Sequence, residues 1–398
     1  MKAERQNKRI TIVRLAALVL PTVLLLLYEY VRMGKIGNVT ADGSLYLSMA
    51  DNFLSTGHFI QCTRWLPGFV VPPGLPMILL LLRALRFTEP IIIGVQAILF
   101  GGACLLLCET ERNLFGHCGL SPLIYLLGCM RCRVLLGNIM VEHYYLFLLC
   151  LILWLIFCSE SKRKLLWLNV AGLYLLLTRP VLSPVYLALL GYTLVSAFKK
   201  RKPGRAATAL LFPVLVLGLN LAINYRETGE MILLESYSGA DVYITACANA
   251  PVTIEEGENY FDETRDEIYH DGDMTMAEKS RLFGTMAKAY IREHPGEYLW
   301  KTVRRFGVLF LKSYGWLTLF PAVGAVWMIS DETDRQKRLL QSGLLVMNVL
   351  MAVLTSFGIP EIRYTAVIWP LAALHFAALY HLITDKRQRA SGGKQWIK

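Results

Sequence analysis

The sequence predicts an all-α, polytopic integral membrane protein, and three observations support that fold class. Of its 398 residues, 55% are hydrophobic and only 18% are charged. The apolar residues occur in repeated long blocks of about 20 residues, the length that a membrane-spanning helix needs. The net charge of +11 comes without a basic stripe interleaved with aromatic residues, so it does not indicate nucleic-acid binding.

We count about ten such blocks as membrane spans. Basic residues precede the first block and no small-residue cleavage site follows it, which is typical of a retained anchor rather than a signal peptide. The predicted spans are Ile10–Val31, Glu89–Cys108, Gly119–Leu136, His143–Cys158, Leu165–Thr178, Val181–Ala197, Ala206–Asn224, Val303–Ser330, Leu339–Phe357 and Tyr364–Thr384.

The orientation follows from lysine and arginine, which favour the cytoplasmic side of a membrane. Their clusters fall on one side when the spans alternate, so both termini are expected inside. Residues 225–302 then lie outside, and the stretch 226–297 holds 16 of the 30 acidic residues but only 6 of the 41 basic ones. The chain thus divides into a transmembrane half at 1–224 with a first outer loop at 32–88, an extracytoplasmic region at 225–302, and C-terminal transmembrane helices at 303–398. The expected location is the plasma (inner) membrane.

One apolar segment does not fit this alternation. Val71–Leu85 begins with Pro72-Pro73 and carries Arg83 near its end. If it crossed the membrane, every later basic cluster would face outward. We interpret it as a helix along the outer membrane face, started by its prolines. A short true span is the alternative.

The first outer loop predicts an amphipathic helix at Gly43–Ser55, with Asp42 before it and Gly57 after it. Asp42 either caps that helix or serves a functional role. A second acidic residue, Glu142, lies beside His143 at the end of an apolar helix on the same side. A carboxylate is costly near lipid, so two facing one compartment indicate a site that handles a proton, a cation or a sugar hydroxyl.

Arginines surround this predicted site. Arg64 lies in the same outer loop, and Arg131 lies within about two helical turns of the same surface. Arginines there pair with carboxylates or phosphates. Snorkelling to the interface is the structural alternative for Arg131.

Cysteine gives little information. Cys129 and Cys132 have CxxC spacing, but they lie in a hydrophobic helix with no second pair, and no cluster has metal-ligand spacing. We expect no metal and no other cofactor. Cys62 and Cys247 are both outside, and the sequence leaves open whether they pair.

The order of these motifs resembles the GT-C membrane glycosyltransferases, in particular their protein-mannosyltransferase-like and aminoarabinose-transferase-like branch (glycosyltransferase family 39). The resemblance spans almost the whole chain, although no single motif is strict. Relatives often carry a second acidic residue beside the first-loop aspartate, where this chain has Gly43. The matching segments are 42–57 with Pro72-Pro73-Gly74-Leu75-Pro76, 137–143, Thr178-Arg179-Pro180, 220–229, 294–298 and Glu361-Ile362-Arg363-Tyr364 with Trp369-Pro370.

The resemblance implies transfer of one sugar from a polyprenyl-phosphate carrier to an acceptor glycan, lipid or protein on the outer face, with no nucleic-acid partner. Asp42 is then the base of an inverting reaction. The expected phosphate-binding residues are Arg131, Arg179, Arg363 and Tyr364, and the supporting ones are Tyr46, Arg64, Glu142 and His143. Structural alternatives remain: Arg363 as an interfacial anchor, Arg179 as a helix-start charge, and His143 as a satisfied helix-end residue.

Two other classes remain as alternatives. A transporter or flippase of lipid-linked sugars would use Glu142 and His143 as a proton relay. The two halves of the chain lack the repeat that many transporters show. A membrane scaffold without chemistry would leave unexplained why an amphipathic helix led by Asp42 is followed by Pro72-Pro73-Gly74.

Overall fold

The structure is a computed structural model that describes residues 2–34, 36, 39, 41–59, 69–131, 139–161, 163–199, 201–312, 316–333 and 335–390. Within these ranges it is all-helical and contains no strand, which confirms the all-α class. The helices are α1 Lys2–Met33, α2 Ala41–Thr56, α3 Gly74–Ala84, α4 Glu89–Phe115, α5 Leu120–Arg131, α6 Glu142–Phe157, α7 Lys164–Thr178, α8 Ser183–Lys199, α9 Pro203–Thr228, α10 Ser238–Thr245, α11 Ile254–Glu258, α12 Glu263–His270, α13 Met276–Glu293, α14 Pro295–Phe306, α15 Trp316–Asp331, α16 Arg335–Ser356 and α17 Trp369–Ala390.

Five helical stretches among the described residues are long and apolar enough to cross a membrane, half the predicted number. They are Thr11–Val31, Glu89–Phe115, Pro180–Lys199, Ala206–Thr228 and Ile362–His381.

The other predicted spans correspond to shorter apolar helices. Within the predicted span Val303–Ser330, the structure has more than one element. There α14 ends at Phe306, a π-helix covers Gly307–Lys312, and α15 begins at Trp316.

Local sequence explains where the long helices begin and end. Pro90 lies in the first turn of α4, and Gly116 ends that helix with a left-handed φ of 76°. In α9, Pro203 likewise lies in the first turn and Gly229 ends the helix with a left-handed φ. Proline suits a first turn because its missing N–H has no helical partner there, and glycine adopts positive φ without strain.

The described part of the predicted first outer loop contains two packed helices, α2 and α3. Gly57, at φ 78°, ends α2 as predicted. The α3 helix begins at Gly74, directly after the two prolines, and its Leu75 and Leu79 are fully buried. Its 11 residues rise only about 16 Å, roughly half of a hydrocarbon core.

The bundle core forms where α4, α5, α6 and α17 meet. Phe100, Tyr125 and Trp369 are its largest buried aromatic residues. At the end of the bundle where α4 finishes, the buried carboxylate of Glu111 accepts hydrogen bonds from the Ser121 backbone N–H at 2.8 Å and lies 3.0 Å from His381 Nε2. This carboxylate therefore ties α4, α5 and α17 together.

Residues between α9 and α14 form a small helical cap with its own core around Tyr243 and Phe283. Thr275 and Glu278 make a reciprocal capping box at the start of α13. The cap is tied to the bundle by α14, whose fully buried Arg305 donates to the carbonyl oxygens of Pro251 and Thr245 at 2.8 and 2.7 Å.

The cysteine predictions are only partly within the described residues. Cys129 is buried in α5, whereas Cys132 and Cys62 lie outside the described residues. The Cys247 thiol lies 3.4 Å from the Tyr260 hydroxyl.

Candidate functional site: a cavity where the helix ends converge

A cavity of about 630 Å³ lies where several helix ends meet beneath the cap. Its bundle side is formed by the start of α2, the corner between α7 and α8, the end of α16 and the residues that lead into α17. The stretch from Glu235 to Val242 forms its cap side. Among the predicted site residues, the lining includes Asp42, Tyr46, Arg179, Arg363 and Tyr364.

Asp42 lies in the first turn of α2, because that helix begins at Ala41. Asp42 therefore lies inside the helix and not at the N-cap position that the structural alternative assigned to it. Its Oδ2 instead accepts a hydrogen bond from Arg363 Nη1 at 3.1 Å. The Asp42 side chain is 50% exposed, so the ion pair faces the water of the cavity. A negative charge in the first turn is also favourable to the helix dipole.

Arg363 lies in the first turn of the 3-10 helix Ile362–Ile368, which leads into α17. It forms ion pairs with both Asp42 and Glu361. Its guanidinium lies 5.2 Å from the centre of the Tyr364 ring, and the Arg179 guanidinium lies 4.7 Å from the centre of the same ring. Tyr364 thus holds two cations near each other through its π face.

The corner that carries Arg179 is fixed by close packing against α3. Tyr174 donates a hydrogen bond from its hydroxyl to the Gly74 carbonyl at 2.6 Å. A Cβ on Gly74 would lie 2.8 Å from both the Cα and the N of Thr178. Only glycine allows the backbone of α3 to come this close to Thr178. The glycine of the Pro-Pro-Gly sequence therefore lets α3 pack against the end of α7, next to Arg179.

Glu142 and His143 begin α6 behind the cavity and do not line it. Glu142 is 1% exposed, and neither of its carboxylate oxygens has a hydrogen-bond partner within the described chain. Its charge acts on Arg179 and Arg363 through electrostatic attraction. His143 is buried and meets Phe100 edge to face at 6.4 Å between ring centres.

Two predicted arginines are not in this group. Arg131 is exposed at the end of α5 and is not a lining residue. Arg64 lies outside the described residues. The structure therefore brings together Asp42, Tyr46, Arg179, Arg363 and Tyr364, with Glu142 behind them.

The cap contributes lining residues that sequence reasoning missed. Glu235, Tyr237 and Asp241 face the arginines from the opposite wall. Desolvation by the surrounding protein, together with the nearby Glu235 and Glu361 carboxylates, raises the pKa of Asp241 to about 7, against the opposing effect of Arg179 and Arg265. Burial likewise raises the pKa of Glu235. The sequence placed both residues in the acidic outer region but offered no pattern to single them out.

The remaining wall is apolar. Met351 and Leu354 of α16, Val181 beside α8 and Val367 of the 3-10 helix line it. A cavity with two guanidiniums beside one tyrosine ring and with aliphatic side chains in the same lining suits an amphipathic ligand with an anionic head. No group of three or more potential metal ligands is arranged to hold an ion within the described ranges.

No protein-family model matches the chain, and no curated protein matches it. The functional interpretation therefore depends on the residues and geometry of the cavity.

Proposed function

We propose that this protein is a GT-C-type membrane glycosyltransferase. It moves a single sugar from a polyprenyl-phosphate carrier to an acceptor glycan, lipid or protein. The observation that carries the proposal is the composition of the cavity, in which Arg179 and Arg363 lie beside an aliphatic wall and an aspartate. A polyprenyl-phosphate sugar combines the matching parts, namely an anionic phosphate, an apolar tail and a hydroxylated head.

The two arginines receive the phosphate. A guanidinium offers a planar set of donors that fits two phosphate oxygens, and its charge does not titrate. Both guanidiniums lie close to the Tyr364 ring, and the buried Glu142 carboxylate attracts them electrostatically. Their positions are therefore set before a ligand arrives, which lowers the cost of organising the site for the reaction.

The apolar wall receives the start of the polyprenyl chain. Met351, Leu354 and Val367 present aliphatic surface beside Arg363. Covering such surface with an apolar chain is favourable at about 25 cal/mol per Å².

The reaction is an inverting displacement, with Asp42 as the base. The acceptor hydroxyl gives its proton to Asp42, and its oxygen forms a bond to the anomeric carbon. The bond from that carbon to the phosphate oxygen breaks, and its electron pair stays on the polyprenyl phosphate. The added negative charge is stabilised by Arg363 and Arg179. Because Arg363 also contacts Asp42, one side chain fixes the base and the leaving group relative to each other.

In this proposal the chain crosses the plasma membrane about ten times and the cavity opens on the extracytoplasmic face. The five long helices make half of these crossings, and the shorter apolar helices make the others. Local bilayer thinning accommodates spans of that length.

The test is a transfer assay with purified protein. Polyprenyl-phosphate sugars labelled in the sugar are supplied with bacterial membrane extract as the source of acceptor. The proposal expects release of free polyprenyl phosphate together with label on a new product of inverted anomeric configuration. Movement of intact donor across a vesicle membrane, without cleavage, would support the flippase alternative instead.

A further inference from the structure

We infer that Asp241 is a ligand-coupled carboxyl group, which takes up a proton when the anionic donor binds to the cavity. The inference rests on the proposed function, because it assigns a second role within the same site. Asp241 stands on the cap wall of the cavity that holds Arg179 and Arg363 on its other wall. A phosphate held by those arginines therefore shares the cavity with this carboxylate.

The surroundings of Asp241 leave its charge poorly compensated. No described residue donates a hydrogen bond to its side chain. Asp241 is exposed to the cavity, while protein atoms on the other sides of its carboxylate reduce its hydration. Glu235 on the preceding segment and Glu361 before the 3-10 helix add negative charge. Burial and these neighbours raise the pKa of Asp241 to about 7.

Titratable groups from several elements act on Asp241. Arg179 at the corner after α7 and Arg265 of α12 attract its carboxylate, and Arg265 lies 4.7 Å from the ring centre of Tyr269. The tyrosines facing it are Tyr237 on the same segment, Tyr269 on α12 and Tyr364 near α17. Arg179 is thus shared between Asp241 and the phosphate site.

An arriving phosphate changes this balance in one direction. It adds a negative charge to the cavity and occupies Arg179, which otherwise stabilises ionised Asp241. Both effects favour the protonated form of Asp241. By thermodynamic linkage, donor affinity must then fall as the pH rises through the range in which free Asp241 loses its proton. Protonated Asp241 also gains an O–H that donates to a phosphate or sugar oxygen.

The probe for this inference is farnesyl methyl phosphate, a phosphodiester with an apolar tail and no group that titrates between pH 5 and 9. Its binding to purified full-length protein is measured by calorimetry at pH 6, 7 and 8. If only the protonated form binds, affinity falls by up to about tenfold between pH 6 and pH 8. At pH 7, the measured heat also varies with the ionisation enthalpy of the buffer, since a proton is taken up.

Two variants complete the experiment. Asp241→Asn holds the site in a neutral state, so its affinity is expected to stay near the pH 6 value at all three pH values. Asp266→Asn removes an exposed carboxylate of α12 outside the cavity lining, and it is expected to keep the wild-type slope.

The outcomes separate the two proposals. Binding whose affinity and proton uptake do not change with pH, or a slope that persists in Asp241→Asn, would overturn the role of Asp241 alone. Absence of binding at every pH would overturn the phosphate site itself, and with it the proposed function.

Discussion

Asp42 and Arg363 are 321 positions apart in the chain, yet Asp42 Oδ2 accepts a hydrogen bond of 3.1 Å from Arg363 Nη1. The pair joins the first turn of α2 to the short 3-10 helix before α17, so it connects an N-terminal element to a C-terminal one at the cavity. The sequence assigned the two residues separate roles, as base and as phosphate ligand. Their contact means that each role depends on the other side chain.

Asp42→Asn tests the base. Asparagine keeps the shape of the side chain but accepts no proton and does not form an ion pair with Arg363. We expect the transfer rate to fall by about 10²–10⁴, with little change in the yield of folded protein. The measurement is turnover per folded molecule in the transfer assay.

The matched control for this variant is Asp51→Asn in the same helix. Asp51 lies 3.2 Å from Arg83 and is 52% exposed, close to the exposure of Asp42. The control is expected to retain near-normal transfer. Equal transfer by both variants would reduce Asp42 to a surface residue.

Arg363→Lys tests the leaving-group contact. Lysine keeps the positive charge but loses the planar fork that reaches Asp42, Glu361 and a phosphate together. Because charge on the phosphate grows as the bond to the sugar breaks, turnover is expected to fall by about 10², more than donor affinity does. Steady-state kinetics with a donor titration separates the two quantities.

Arg281→Lys is the control here, since Arg281 pairs with Glu230 at 2.7 Å on the cap surface. Its turnover is expected to be unchanged. If Arg363 only anchors the last helix at the interface, Arg363→Lys will lower the folded yield and leave turnover per folded molecule intact.

Gly74→Ala tests the seating of the Arg179 corner. The added methyl would lie 2.6 Å from Thr178 Oγ1 and 2.8 Å from the Thr178 backbone. Such overpacking costs about 1–3 kcal/mol of stability, so we expect a lower thermal midpoint together with reduced turnover. Gly94→Ala in α4 is the control, because no atom lies within 4 Å of the added Cβ. A normal midpoint and normal turnover for Gly74→Ala would refute the tight contact.

Topology is tested by labelling single cysteines in intact cells on a cysteine-free background. Asn249 is exposed in the cap, and Lys199 is exposed at the end of α8. An impermeant maleimide is expected to label Asn249→Cys but not Lys199→Cys, because basic clusters favour the cytoplasmic side. Labelling of Lys199→Cys alone would invert the orientation and move the cavity to the cytoplasm.

Much of the architecture follows from local sequence patterns. The helix start after Pro72-Pro73, the end of α2 at Gly57 and the corner at Arg179 were all predicted, because proline and glycine fix backbone geometry locally. The change of helix type at Gly307–Lys312 was missed, because that segment is apolar up to Lys312 and hydropathy does not register helix type.

The candidate site was predictable only on its bundle side. Asp42, Arg179 and Arg363 stood out because charges at the ends of apolar helices are few. Asp241 did not, because 16 acidic residues share its region and only the tertiary fold turns this one into the cavity. Burial alone is no guide either: Glu111 and Glu142 are both buried, but Glu111 is hydrogen-bonded to Ser121 and Glu142 has no such partner within the described chain.

The central claim is that the cavity breaks the bond between a sugar and polyprenyl phosphate. The most direct measurement follows a panel of polyprenyl-phosphate sugars, labelled in the phosphate, with purified protein and membrane acceptors. The account predicts that at least one donor yields free polyprenyl phosphate, and that Asp42→Asn abolishes most of this release while Asp51→Asn does not. Binding of donors in the wild-type cavity without any release, under conditions where the folded protein is intact, would contradict it.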